Sequence, residues 1–297
     1  MKGLVKPRAR RRPGQISYYG GFIMKPIDKL TFTDDGMFQA VLHDPEICAE
    51  LIERLLNIRV SRIEYPELEK QIAPYFSSKG VRLDVYIKDS DKIIDVEMQS
   101  TVKEDLGKRL RYYQSMIDID SLMKGQNYNE LKESYILFIC KDDPFKDESR
   151  KPYGLSRYTF KNTCQERNDV NLNDNSLKVV YNASEYEKEE DEKIRNLLHF
   201  ICTDEPGKDS FSVRLSSTVE KLKNDDKFRS TYLAMNLHDF DIKKEAFENG
   251  KQAGSQQTKI EAAKNFLKMN VLSDAQISEG TGLPLEQVLE IKNSLTS

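Results

Sequence analysis

From Asp34 to about Asn57, apolar residues recur every three or four positions. Phe38, Val41 and Leu42, then Ile47, Leu51, Leu55 and Leu56, fall at helical spacing. Pro45 interrupts the run, which predicts two helices with a break at the proline. Alternation then replaces the helical period. Residues 60–64, 81–88 and 92–99 read as strands, the last two joined into a hairpin by the charged turn KDSD. KEDLGKRLRYYQSMIDIDSLMKG reads as a long helix ending at Gly125. SYILFIC (134–140) is the continuous apolar run of a buried strand, and RYTF and KVVYN (178–182) are shorter strands. Helices, three strands, a helix and a strand in that order predict an α/β core whose mixed sheet combines hairpin and crossover connections.

The pattern weakens after the last strand. Residues 184–196 are acidic and Lys-rich, as in a solvated helix or linker, and 197–250 are weakly patterned helix. NGKQAGSQQ (249–257) reads as a Gly/Gln-rich hinge. Three helices follow: Ser273 is an expected N-cap with Gln276 at the capping-box position, Gly282 makes a turn, and Pro284 opens the last helix. The expected organisation is a basic, disordered extension over 1–23, a core over 24–183, a helical extension over 184–248, the hinge, and a helix-turn-helix-like unit over 258–297. The extension carries six Lys/Arg in its first twelve positions. It reads as a phosphate-seeking arm or, more plainly, as sequence upstream of a start at Met24.

Composition narrows the classes. Lys+Arg 46 against Asp+Glu 49 excludes a uniformly basic nucleic-acid coat but not a local basic patch. Cys48, Cys140, Cys164 and Cys202 form no CxxC pair, and His43, His199 and His238 are scattered, so a structural zinc site is not expected. Free thiols suit a reducing cytoplasm. No apolar run reaches the ~18 residues of a membrane span, and the first 20 residues lack the apolar stretch of a secretory signal.

The hairpin carries the candidate chemistry. Strict alternation puts Val81, Leu83, Val85 and Ile87 on one face and Arg82, Asp84 and Tyr86 on the other. In the next strand Asp95, Glu97 and Gln99 oppose Ile94, Val96 and Met98. Pairing can bring Asp84 next to Glu97, with Gln99 roughly 7 Å further along that face. Adjacent carboxylates repel unless a cation lies between them, and such hard oxygen ligands suit Mg²⁺ or Mn²⁺ rather than zinc. A solvent-facing hairpin with acids on its wet side reads the same residues without chemistry.

RLDVYI, the charged turn and DVEMQ resemble the nuclease motif of the recombination-promoting nuclease/transposase family, within the PD-(D/E)XK nuclease superfamily. FTDDGMFQAVLHDPEICAELIERLLN resembles its opening helices. In KRLRYYQSMIDIDSLMKGQNYNELKESYILFIC, residues Arg109, Tyr112, Tyr113, Gly125, Tyr128 and Leu131 stand at the family's spacing. RYTF, LND and KVVYN resemble its later strands, and GKQAGSQQTKIEAAKNFLKMNVLSDAQISEGTGLPLEQV its C-terminal unit, so the likeness covers about residues 30–293. It implies an α/β restriction-endonuclease-like core, a central mixed sheet flanked by helices, with a small C-terminal helical unit. It also implies a Mg²⁺- or Mn²⁺-dependent endonuclease acting on duplex DNA with little sequence specificity, in recombination or element transfer.

Residue by residue, Asp84 matches the metal-binding aspartate and Glu97 the acid of the ExK element. Gln99 stands where most of the superfamily has lysine. Glutamine is usual in this family, but it carries no charge. Lys79, where the family often has lysine, is a candidate replacement. Alternation puts it on the wrong face unless Gly80 breaks the strand. Glu50 and Glu53 are candidates for an acid from the first helix. Arg109 and Arg82 are candidate DNA contacts. For Arg109 the competing reading is an ion pair, with Tyr112 or Tyr113 packing on the sheet. Glu286 and Glu290 on the last helix oppose phosphate binding, so packing or homo-oligomerisation is favoured there over DNA readout. The rival to the enzyme is a silent DNA-binding or protein-interaction module, in which a Lys or Arg fills the gap between Asp84 and Glu97. An RNA-directed nuclease differs only in substrate.

Overall fold

The computed structural model describes residues 25–60, 67–72, 79–89, 91–101 and 104–296, apart from the side chains of 235–244, 246 and 296. The extension over 1–23 and most of the strand expected at 60–64 lie outside the described residues.

Two helices, α1 (Asp35–Leu42) and α2 (Pro45–Leu56), open the described chain. Pro45 does not break a continuous helix but starts the second one. It sits in the first turn, where a missing N–H costs nothing, and the Asp44 carboxylate accepts from Glu46 N (2.9 Å) and Ile47 N (3.2 Å). Ile47, Cys48, Leu51, Ile52, Leu55 and Leu56 form the buried stripe of α2.

Six strands follow in one mixed sheet: β1 (Glu67–Ile72), β2 (Val81–Lys88), β3 (Lys92–Gln99), β4 (Glu133–Cys140), β5 (Arg157–Phe160) and β6 (Ser176–Asn182). Their order across the sheet is β1-β2-β3-β4-β6-β5. β1–β2, β2–β3 and β5–β6 are antiparallel, whereas β3–β4 and β4–β6 are parallel. The parallel step from β3 to β4 needs a crossover, which α3 (Leu106–Ser121) supplies. That helix stops at Ser121 rather than Gly125, which lies in the following turn at φ 92°.

Both faces of the sheet are covered. Phe138 and Val180, paired across β4 and β6, share a core cluster with Leu106, Leu110 and Ile117 of α3. The next pair, Ile139 and Tyr181, points the other way, and the Tyr181 hydroxyl donates to the Leu55 carbonyl of α2 (2.8 Å). This double cover removes the solvent-facing hairpin as a reading of 81–99, because nearly all of β2 and β3 is buried. Strict alternation also fails in β2: Val81 and Leu83 join the cluster of Tyr86. The irregularity centres on Asp84. Glu69, bracketed by the pairs Leu68–Val85 and Lys70–Leu83, takes a left-handed φ of 54° opposite it.

The remaining helices are α4 (Glu192–Thr203), α5 (Ser210–Lys223), α6 (Asp226–Met269), α7 (Asp274–Thr281) and α8 (Leu285–Thr296). Residues 249–257, expected as a hinge, are helical inside α6. Two glycines cost roughly 1 kcal/mol each against alanine, and the Lys, Ala and Gln around them are good helix formers. By compactness, residues 25–230 form one unit, which holds the whole sheet, and 231–297 belong to another. In the latter, Ala263, Ile277, Leu283, Val288 and Ile291 make a small core. The Ser273–Gln276 capping box is complete, and Gly282 caps α7 at φ 66°. Among the described residues no helix is long and apolar enough to cross a membrane.

Candidate active site

The β2–β3 ladder runs from Lys88–Ile93 to Val85–Val96 and stops there. Beyond that point the two carboxylates take over the exchange between strands. Asp84 N donates to Glu97 Oε1 (2.8 Å), and Met98 N donates to Asp84 Oδ2 (3.2 Å). Each acid therefore satisfies a backbone donor of the opposite strand, and the strands are held together at the acids. Asp84 is 8% exposed and Glu97 2%.

Burial sets their electrostatics. Desolvation pushes the Asp84 carboxyl up to about 6, with Asp35 adding to the rise, while the Met98 N–H, Arg82 and Arg109 pull it down. Glu97 is raised well above the usual carboxylate range, first by burial and then by Asp95 and Asp84. Asp95 is fully buried, and among the described residues neither of its oxygens has a hydrogen-bond partner. Burial and then Asp84 raise it as well. Asp84, Glu97 and Asp95 thus lie in surroundings that disfavour their charge.

Asp84 and Glu97 open into a cleft of about 850 Å³. Lys79, Arg82, Lys108, Arg109 and Arg111 line it, with Gln99, Tyr112 and Tyr113. Lys79 is exposed at this lining, and its carbonyl accepts from the Tyr112 hydroxyl (2.5 Å). Arg82 is half exposed and pairs with Glu69 at 3.5 Å. Arg109 is more deeply held: Nη1 donates to Gln99 Oε1 (2.8 Å), Nη2 donates to the Tyr113 hydroxyl (3.1 Å), and Nη2 lies 3.8 Å from Glu97 Oε2. Tyr113 packs on Phe138. Among the described residues no cation forms an ion pair with Asp84, so Arg109 meets Glu97 and Gln99 without bridging the two acids.

Glu50 and Glu53 do not line this cleft. Glu50 pairs with Arg54 (2.7 Å) and Arg214 (3.8 Å), and Glu53 accepts from Val60 N (3.0 Å). The helical acid that does line it is Asp35, in the first turn of α1. Sequence reasoning passed over Asp35 and Asp95. The doublet at 34–35 and the i, i+2 spacing of Asp95 and Glu97 were the available signals.

Comparison with known families finds a likeness over this region. Residues 37–175 match the family model of PD-(D/E)XK nuclease family transposases. No curated protein and no solved structure matches the chain. The mixed six-stranded sheet with helices on both faces is the PD-(D/E)XK-like fold. The matched stretch begins within α1 and closes just before β6, so it contains Asp84, Glu97, Gln99 and Arg109. The match supports a nuclease-type function, with DNA as the implied substrate and a divalent metal ion as the usual requirement of such nucleases.

The donor set fits such an ion. Among the described residues Asp84 Oδ1 and Glu97 Oε2 accept no hydrogen bond, and carboxylate oxygens are hard ligands suited to Mg²⁺ or Mn²⁺. Among the described residues no third His, Cys, Asp or Glu completes a ligand cluster with them.

Proposed function

We propose that this protein is a Mg²⁺- or Mn²⁺-dependent endodeoxyribonuclease, hydrolysing duplex DNA with low sequence specificity in recombination or element transfer. The observation that carries this reading is the pair Asp84 and Glu97, buried at the end of a ladder and opening together into a cation-lined cleft. A divalent ion held there would polarise a phosphoryl oxygen and make a water a better nucleophile. Asp84 and Glu97 are its ligands. Gln99, on the same lining, offers an uncharged donor to water or a phosphate oxygen. Lys79, Arg82, Lys108 and Arg111 draw in the DNA backbone; such contacts fix register without reading bases, which supports low specificity. The free thiols, two of them buried, are compatible with the cytoplasm. For the C-terminal helices we propose packing or self-association rather than base readout.

One observation favours the silent module: Arg109 already lies 3.8 Å from Glu97. Plasmid nicking separates the two. Purified protein is expected to nick with Mg²⁺ or Mn²⁺ and not in EDTA, and Asp84→Ala and Glu97→Ala are each expected to lose about a thousandfold. Cleavage that survives both substitutions sinks the site. DNA binding without cleavage favours the silent module.

A further inference from the structure

Gln99 is locked in one orientation. Its Oε1 accepts from Arg109 Nη1 (2.8 Å) and its Nε2 donates to the Met98 carbonyl (3.0 Å). A guanidinium has no acceptor, so only the amide oxygen can face Arg109. The second Nε2 hydrogen has no acceptor among the described residues, on a side chain that lines the cleft. Arg109 is itself fixed. Its side chain is 18% exposed, donates to Tyr113 (3.1 Å), and lies over the Tyr113 and Phe138 rings at 5.4 and 5.5 Å. Lys79, the cation that the sequence offered as a stand-in for a lysine at 99, lies exposed at the cleft without such anchoring.

We infer that Arg109 is a positioning residue of the site: it orients the Gln99 amide as a donor into the cleft and supplies, through that amide, the positive polarisation that Gln99 lacks. This rests on the nuclease reading and makes the 99–109 pair one unit, a neutral donor backed by a buried cation. Negative charge that builds on the phosphoryl group then meets the N–H of an amide whose oxygen accepts from the guanidinium at 2.8 Å. Without Arg109 the amide is free to turn its oxygen toward the same charge. Arg109 is therefore not a free phosphate ligand, although it lines the same cleft.

The test measures kcat for nicking, DNA affinity in Ca²⁺, and Tm for Arg109→Gln, Gln99→Glu and the double variant Gln99→Lys/Arg109→Gln. Arg109→Gln is expected to lower kcat about 100-fold with the DNA Kd within about twofold of wild type. Gln99→Glu keeps and strengthens the contact to Arg109 but has no N–H for the cleft or for the Met98 carbonyl, so it is expected to lose as much kcat. The double variant restores a cation at 99 and is expected to return within about tenfold of wild type. The inference is overturned if Gln99→Glu retains wild-type kcat. It is equally overturned if Arg109→Gln weakens DNA binding and its salt dependence while kcat holds, as a phosphate contact would. Failure of the double variant to recover while its Tm is unchanged makes Arg109 structural. A wild-type protein that never cleaves overturns the nuclease reading, and this inference with it. A cleaving wild type beside an equally active Arg109→Gln overturns this inference alone.

Discussion

Asp84→Asn is expected to cut metal-dependent nicking by about a thousandfold while raising the unfolding free energy of the metal-free protein at pH 8 by roughly 1–3 kcal/mol. The two effects have one cause. The Asp84 carboxylate is 8% exposed, and burial has lifted its pKa from the ordinary 3.8 to about 6. At neutral pH and above, the folded protein therefore holds a charge that its surroundings disfavour. Asparagine has nearly the same shape, and its oxygen can still accept from Met98 N, 3.2 Å from the present Asp84 Oδ2. It removes the desolvated charge and the repulsion from Asp35 and Glu97. Nicking with Mg²⁺ and denaturant melts in EDTA measure the two halves. A variant that still cuts, or that is less stable than wild type, contradicts the assignment.

The pH dependence of stability is the second large effect. A carboxyl whose folded pKa lies above its unfolded value contributes its full stability below the unfolded value and loses it as pH rises through the folded one. For Asp84 the window runs from 3.8 to about 6. In EDTA, the stability difference between Asp84→Asn and wild type should be near zero at about pH 4, open across that window, and reach roughly 1–3 kcal/mol at pH 8. Glu97 and Asp95 shift in the same direction, so wild-type loss continues to higher pH. Mg²⁺ should reverse it, by about 2.7 kcal/mol at a hundredfold excess over its Kd. A difference that does not change with pH, or that Mg²⁺ leaves intact, would contradict a pair of buried acids awaiting a cation.

Much of this site was legible in the chain, because strand alternation and a charged turn are local signals. They placed Asp84 and Glu97 on paired strands, and Pro45 and Ser273 marked helix starts for equally local reasons. What failed was non-local. Nothing in DVEMQ reports that α3 covers its polar face, so the burial of Asp95 was not visible. The edge strand ELEKQI has no apolar alternation, and its Lys70 reaches both Glu67 and Asp120, a contact across the fold. Asp35 joins the cleft through the position of α1; the doublet at 34–35 marks an acid there but not where the helix carries it. The glycines at 250 and 254 read as a hinge because a local breaker signal was weighed without the helix formers around it.

Titrating Mn²⁺ into the full chain by calorimetry, beside Asp84→Asn and Glu97→Gln, asks most directly whether these two acids share one ion. The expected result is a saturable Mn²⁺ site in wild type that both substitutions remove. A wild-type isotherm in either variant would contradict it and leave that carboxyl with a purely structural place between the strands.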